Sequence, residues 1–339
     1  MSPRFRVLIA GCGEMAKTWV AYAASREDTE IVALVDPDAK NAEAMRVRHN
    51  LACPTSGELN AALETSGANL VFDVTPPAAH EGVVLAALQA GCDVLGEKPL
   101  AAGMDAARRM CAAAEKAGKT YAVMQNRRYL PGIRAYRDLV TSGVIGRLGL
   151  LGADFFLAPH FGGFRDVMDS PLLLDMAIHT FDQARFISGA DAVSAHCLEF
   201  NPPGSWYAGK AAAVCAFELS NGAVFSYRGS WCAEGLNTSW EAEWRACASL
   251  GAATWNGVDP PRAEVVRDAG QPGFTRDVIA APAPAPWTGR EGHQGCLDEM
   301  FDALIRGAKP QTDCQDNIKS LAMVFAAVES ARSGLTVRL

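Results

Sequence analysis

The stretch LLLDMAIHTFD, residues 172–182, sets three ionisable groups into an apolar run. Asp175, His179 and Asp182 stand at offsets of four and seven, a spacing that brings them to one face of a helix. Leu172, Leu173, Leu174, Met176, Ile178 and Phe181 supply the sides such a helix would bury. Two readings fit. In one, His179 is a satisfied core histidine and the acids cap the helix or face solvent. In the other, His179 is a general acid/base imidazole oriented by a carboxylate one turn earlier. One helix does not decide between them.

A second group of residues points to a dinucleotide. In VLIAGCGEMA, residues Gly11, Gly13 and Ala16 carry the spacing G-x-G-x-x-A between a strand and a helix. The first glycine allows a tight turn, and the second lets backbone approach a pyrophosphate. Ala16 permits close helix–strand packing, and the helix N-terminus faces the phosphates. The next strand, EIVALVD, ends at Asp36, twenty residues beyond Ala16. A carboxylate there accepts from the adenosine ribose hydroxyls. It also repels a 2′-phosphate, and Pro37 and Asp38 beside it provide no arginine, so NAD is favoured over NADP.

A third group lies in GEKPL, where Glu97 and Lys98 follow the strand CDVL. Ligands of open α/β sheets collect at that carboxyl edge. Lys98 is either a solvated loop charge or, among its small and apolar neighbours, an amine whose pKa shifts on burial.

These groups need a scaffold, and 339 residues suffice for two domains. Residues 1–124 alternate apolar strands (RVLIA, EIVALVD, NLVFDVT, CDVLGE, TYAVM) with helical segments, which implies a parallel sheet covered on both faces. In PAAHEGVVLAALQAG, Pro77 suits a first helical turn and Gly91 a stop. Residues 125–339 begin with a helix, LPGIRAYRDLVTSG, and a strand, LGLLGADFFL. Beyond the Leu172 helix come several strands with no long helices between them. AAAVCAFELSNGAVFSYRGSW is expected to be a hairpin turning at Asn221-Gly222. Its first strand, 212–219, is apolar on both faces and needs a second cover, either helices or another subunit. WEAEWR alternates as a strand, with Trp240, Ala242 and Trp244 on one side, and residues 268–290 form an irregular connection rich in Pro, Ala and Gly.

Composition narrows the function. A hydrophobic content of 49% is a globular value, and a net charge of −7 excludes a polyanion-binding surface, so nucleic acid is no partner. No apolar stretch is long enough to span a bilayer, and the run in MSPRFRVLIAGCG is too short for a signal peptide. The ten cysteines are scattered, without a C-x-x-C pair or a histidine at ligand spacing. They point to a reducing, cytoplasmic compartment, and no metal is expected.

The chain resembles the family of glucose–fructose oxidoreductase and inositol dehydrogenase (Gfo/Idh/MocA). The resemblance rests on AGCGEMA, VDPD, VTPPAAH, GEKPLA, NRRY and DMAIHTFD, in that order along nearly the whole chain. It implies an α/β architecture: an N-terminal Rossmann domain, doubly wound on a parallel sheet, and a C-terminal α+β domain with a large, mainly antiparallel sheet. It implies a substrate lying between them over the nicotinamide. By resemblance, Lys98, Asp175 and His179 match the catalytic group. Gly11, Cys12, Gly13, Glu14, Met15, Ala16, Asp36, Thr75, Pro76, His80, Glu97, Lys98 and Asn126 fall where the family approaches its cofactor. Substrate contacts are expected from Lys98, Arg127, Asp175 and His179, and His160 and Arg165 in PHFGGFRD are pocket candidates by position, with a surface loop as the other reading. Many relatives carry a glycine-rich stretch before the Asp, where this chain has DSPLLLD, so the helix entry differs.

The expected reaction is hydride transfer between NAD and a secondary alcohol or ketone of a sugar, polyol, inositol or glycoside. His179 takes the hydroxyl proton and Lys98 stabilises the reacting oxygen, while Asp175 orients the imidazole or grips a neighbouring hydroxyl. Asp182 is left as structural. Two other readings stay open: a sugar–sugar oxidoreductase that never releases its cofactor, and a non-catalytic dinucleotide sensor, which has no use for Lys98, Asp175 and His179 together. A homodimer or homotetramer built on the C-terminal sheet is expected.

Overall fold

Short apolar strands and helices alternate from Phe5 onward in the computed structural model, which describes residues 4–270 and 272–339. Residues 1–3 of the expected first domain and Gln271 of the expected connection lie outside the described residues. The first stretch runs β1 (Phe5–Ala10), α1 (Ala16–Ala24), β2 (Thr29–Val35), α2 (Ala39–Arg48), β3 (Thr55–Ser56) and α3 (Leu59–Ser66). It continues with β4 (Leu70–Asp73), α4 (His80–Gln89), β5 (Asp93–Gly96), α5 (Met104–Ala117) and β6 (Tyr121–Val123). The six strands pair in parallel in the order β3-β2-β1-β4-β5-β6, the doubly wound arrangement. Val7, Leu8, Ile9 and Ala10 are all buried, so both faces of β1 are covered and its sequence is apolar without alternation. Helix α4 begins at His80; Pro77 sits in the turn before it, and Gly91 ends the segment at φ +80°.

The chain then passes through a single 3-10 turn, Asn126–Arg128, into α6 (Pro131–Thr141) and β7 (Leu148–Phe156). A second 3-10 turn, Gly163–Val167, precedes a π-helical turn, Leu172–Met176, which runs into α7 (Ala177–Ser188). Strands β8 (Ala192–Phe200), β9 (Ala212–Leu219), β10 (Val224–Ser230), β11 (Glu243–Ala248), β12 (Gly251–Trp255), β13 (Arg262–Val266) and β14 (Val278–Ala280) follow. Helices α8 (Gly292–Arg306) and α9 (Cys314–Ser333) and strand β15 (Val337–Arg338) end the chain. The second sheet has the order β14-β13-β12-β11-β7-β10-β9-β8-β15, with β7 and β10 parallel and the other pairs antiparallel.

Two compact units result: residues 1–125 with 293–318, and residues 126–292 with 319–339. In the first, α8 contributes Phe301, whose ring meets Phe5 at 4.9 Å, Tyr22 at 5.6 Å and Phe72 at 6.0 Å. The Val123 amide donates to Thr312 O at 3.0 Å in the same unit. In the second unit, α7 is buried along its whole length, and Phe181 packs edge-on against Phe217, Phe225 and Tyr227 of the sheet. No helix among the described residues is long and apolar enough to cross a membrane.

The outer face of β9, expected to be covered by helices or another subunit, has no cover among the described residues: Val214 is 46% exposed, beside Leu198 at 64% and Phe200 at 43%. Three local expectations are corrected. WEAEWR is not a strand throughout; β11 starts at Glu243, because Ala242 takes φ +65° and Trp240 and Glu241 form a turn. The 268–290 connection contains β14, which pairs with β13. The single helical face expected for Asp175, His179 and Asp182 is interrupted, because Asp175 lies in the wide turn and the other two lie in α7. A π turn spreads its residues over a larger arc than an α turn, and the apolar pattern that fills it looks the same in sequence.

Candidate active site

In the first unit, four strand ends carry the residues singled out by sequence. Gly11, just after β1, has φ +88°, and a Cβ there would strike Val74 O at 2.6 Å, so only glycine fits. Nothing lies within 4 Å of a Cβ built on Gly13, which leaves room for a close approach. Ala16 is buried at the start of α1. Met15 stands at the N-cap of that helix, and no described side chain caps it, so its amides and dipole stay available to an anion.

Asp36 ends β2 as a buried carboxylate tied to the glycine turn. One oxygen accepts the Cys12 amide at 2.9 Å, and the other accepts the Asp38 amide at 2.9 Å and Asn41 Nδ2 at 3.3 Å. Burial, with the Asp36 charge adding to it, pushes the Cys12 thiol up to about 12. A cleft of about 320 Å³ opens here, lined by Cys12, Gly13, Glu14, Lys17, Asn41 and Arg48 among others. Glu14 and Lys17 form an ion pair within it.

At the end of β4, the buried Asp73 holds two neighbours. Its Oδ2 lies 2.7 Å from His80 Nδ1, and its Oδ1 accepts Thr75 Oγ1 at 2.5 Å and the Thr75 amide at 3.2 Å. Pro76 O accepts the Ala79 amide, which leads the chain into α4. Beyond β5, Glu97 accepts Trp19 Nε1 at 2.7 Å and the Lys98 amide at 3.1 Å, so the backbone that starts the lysine is fixed from α1. His293 Nε2 stands 3.8 Å from the same carboxylate. Burial lowers the His293 pKa, and the Glu97 charge opposes that shift.

The second unit gathers another set. Asn126 opens the 3-10 turn, and Arg127 follows it. Arg127 Nη1 donates to Trp240 O and lies 3.6 Å from Glu241 Oε1, and its Nη2 reaches Met176 Sδ at 3.8 Å. Glu241 also accepts Gln183 Nε2 at 2.8 Å. Burial lowers the Arg127 pKa and raises that of Glu241, while each partner's charge opposes the other's shift. Arg165 Nε donates to Asp175 Oδ2 at 2.7 Å, fixing a carboxylate that the wide turn presents. His179 is buried in the first turn of α7. His160 stacks on Trp206 at 3.7 Å and lies 2.9 Å from Glu234, both side chains largely exposed, as the surface-loop reading allows.

Thus Arg165 and Asp175 are brought together, and Arg127 reaches the residue next to Asp175. Reading the sequence missed Asp73, Trp19, Arg48, Glu241 and Gln183. Asp73 had a signal, a lone acid closing an apolar parallel strand. Among the described residues no three His, Cys, Asp or Glu side chains form a metal-ligand group.

Residues 5–125 match a model described as an oxidoreductase family with an NAD-binding Rossmann fold, and residues 133–254 match the GFO/IDH/MocA C-terminal domain. An uncharacterised protein, y4oX, of Sinorhizobium fredii is 30% identical over 99% of this chain and 96% of its own length. D-glucoside 3-dehydrogenase of Escherichia coli (strain K12) is 32% identical over 57% of this chain and 56% of its own. An oxidoreductase from Agrobacterium radiobacter, solved in complex with NAD+, L-tartaric acid and magnesium, shares the fold. Its TM-score is 0.84 at 23% identity, over 99% of this chain and 98% of that one.

Proposed function

The chain belongs to the GFO/IDH/MocA family of oxidoreductases, and we propose that it is an NAD-preferring dehydrogenase of a secondary alcohol on a sugar, polyol, inositol or glycoside. The observation that carries this reading is the convergence of Gly11, Asp36, Thr75 with His80, and Glu97 with Lys98 at the carboxyl ends of β1, β2, β4 and β5. The residues suit a dinucleotide. Gly13 leaves open space for a pyrophosphate, the N-terminus of α1, uncapped by any described side chain, is open to an anion, and the adjoining cleft has room for an adenosine.

Bound NAD supplies the hydride acceptor. Asp36 accepts from the ribose hydroxyls and repels a 2′-phosphate. Lys98 donates to the reacting oxygen and stabilises its growing negative charge. His179 takes the hydroxyl proton, a task suited to an imidazole at neutral pH. Asp175, held by Arg165, grips a neighbouring hydroxyl, and Arg127 contacts the substrate. Domain roles divide near the expected boundary of 1–124 and 125–339, except that residues 293–318 pack with the first unit: the first unit holds the cofactor, and the second binds substrate and carries the oligomer contacts. The open apolar face of β8 and β9 supports a homodimer or homotetramer. Ten free thiols suit a reducing compartment such as the cytoplasm.

The experiment is a panel of sugars, cyclitols, glycosides and polyols offered to purified protein with NAD, following the absorbance of reduced nicotinamide. At least one cyclic secondary alcohol should reduce NAD in a Lys98- and His179-dependent way. Tight NAD binding with no turnover across the panel would favour a sensor and sink the dehydrogenase reading.

A further inference from the structure

Phe161, Trp231 and Trp240 form a cluster of rings in the second unit. Trp231 is buried and meets Trp240 edge-on at 5.7 Å and Phe161 at 6.0 Å; Phe161 and Trp240 lie 6.3 Å apart. Phe155 backs the cluster, 5.5 Å behind Trp231. Phe161 and Trp240 leave about half their surface in water, 54% and 45% exposed. The two rings are tilted 48° to one another, a shallow V, and half-exposed aromatics so placed cost hydrophobic free energy unless something covers them. Among the described residues the buried Trp231 Nε1 finds no hydrogen-bond acceptor, so this ring serves the cluster as an apolar support.

Two bridges tie the rings to Asp175. The Arg165 guanidinium lies over Phe161 at 5.0 Å while its Nε holds Asp175 at 2.7 Å. From the other side, Arg127 donates to Trp240 O and reaches Met176, the neighbour of Asp175. Aromatic faces and hydroxyl-binding charges therefore share one frame.

We propose that the exposed faces of Trp240 and Phe161 form a stacking platform for the C–H face of a ring substrate, a pyranoside or cyclitol, seated beside Asp175. This rests on the dehydrogenase reading above. A ring with equatorial hydroxyls presents a flat patch of axial C–H bonds and a polar rim. The electron-rich ring faces attract the polarised C–H bonds, and the carboxylate–guanidinium pair takes rim hydroxyls. An open-chain alditol carries the same hydroxyls but keeps no flat face. The platform selects cyclic over acyclic substrates.

Saturation-transfer NMR on NAD-loaded protein tests this without requiring turnover, using methyl β-D-glucopyranoside, myo-inositol and D-glucitol as probes. The ring C–H protons of at least one cyclic probe should receive saturation, and D-glucitol should bind more weakly. Trp240→Ala should weaken ring binding by up to about tenfold, the scale of one aromatic contact, while Trp240→Phe keeps most of it. Phe161→Ala serves as the second variant, with circular dichroism and NAD titration checking both folds. Absence of ring binding, equal binding of D-glucitol, or full ring affinity in both alanine variants would overturn the platform. Ring binding that Trp240 controls, without reduction of NAD for any ring, leaves the platform standing and overturns the dehydrogenase reading. Turnover of rings that neither variant alters does the reverse.

Discussion

Asp182 takes a two-pronged hydrogen bond from Arg128, with Nε at 2.7 Å and Nη2 at 2.6 Å, in a pair almost wholly shut from water. Ser320 Oγ adds a third donor at 2.7 Å. The last acid of LLLDMAIHTFD is therefore an anchor of α7. Removing one member of such a pair strands a buried charge, so Asp182→Ala should cost about 3–5 kcal/mol of stability. Asp182→Asn should cost less, since it can still accept from Arg128. Chemical denaturation measures both, and equal stability of wild type and Asp182→Ala would contradict the anchor.

The Asp36 carboxylate sits in the turn that leads to α2, and Arg48 lines the cleft from the far end of that helix. NAD should bind more tightly than NADP in the wild type. Asp36→Ala should narrow the gap from both sides, losing the ribose acceptor and removing the charge that repels a 2′-phosphate from a cleft that Arg48 also lines. Isothermal titration with each nucleotide gives the ratio, and an unchanged ratio in the variant would remove Asp36 from the discrimination.

His179→Ala and Lys98→Ala should each keep NAD binding and lose turnover, by roughly 10²–10⁴-fold for the histidine. Oxidation in the wild type should speed up as pH rises, since the proton acceptor works only when deprotonated, and that ionisation should vanish in His179→Ala. Lys98→Arg should fail to restore rate, because the guanidinium is bulkier and fixed in its charge. If the ionisation persists in His179→Ala and disappears in Lys98→Met, the two roles are exchanged.

Val214 faces outward from β9 between Leu198 of β8 and Arg228 of β10. Val214→Glu puts a carboxylate into the apolar patch and should convert an oligomer into a monomer with unchanged far-ultraviolet dichroism. Light scattering at micromolar concentration reads the mass; a wild-type monomer, or a variant that stays assembled, would move the interface elsewhere.

What was legible in the sequence was local. The glycine turn, Asp36 and Lys98 each follow a strand at a fixed offset, so strand periodicity alone brings them to one edge of the sheet. The hairpin at Asn221-Gly222 was legible for the same reason, and Ala223 O indeed accepts the Leu219 amide. Partners set by tertiary packing were hidden. Asp175 finds Arg165 only because a 3-10 turn and a π turn fold against each other, and Glu241 finds Arg127 and Gln183 across long stretches of chain. DSPLLLD marked the helix entry at Leu172–Met176 as different, but not its width, since the leucines satisfy an α and a π register equally.

Phe301 has a bearing on how the protein is born. The rings of Phe5, Tyr22 and Phe72 emerge from the ribosome early, yet the ring that covers them belongs to α8, and residues 126–292 must be made first. At roughly 5–20 residues per second, that is a wait of about 10–30 s. Throughout it Phe5, Tyr22 and Phe72 lack the ring that later meets them, though Trp19 of the same half already packs edge-on against Phe72 at 4.9 Å. The core of a half already synthesised is thus completed only by chain made after most of the other unit.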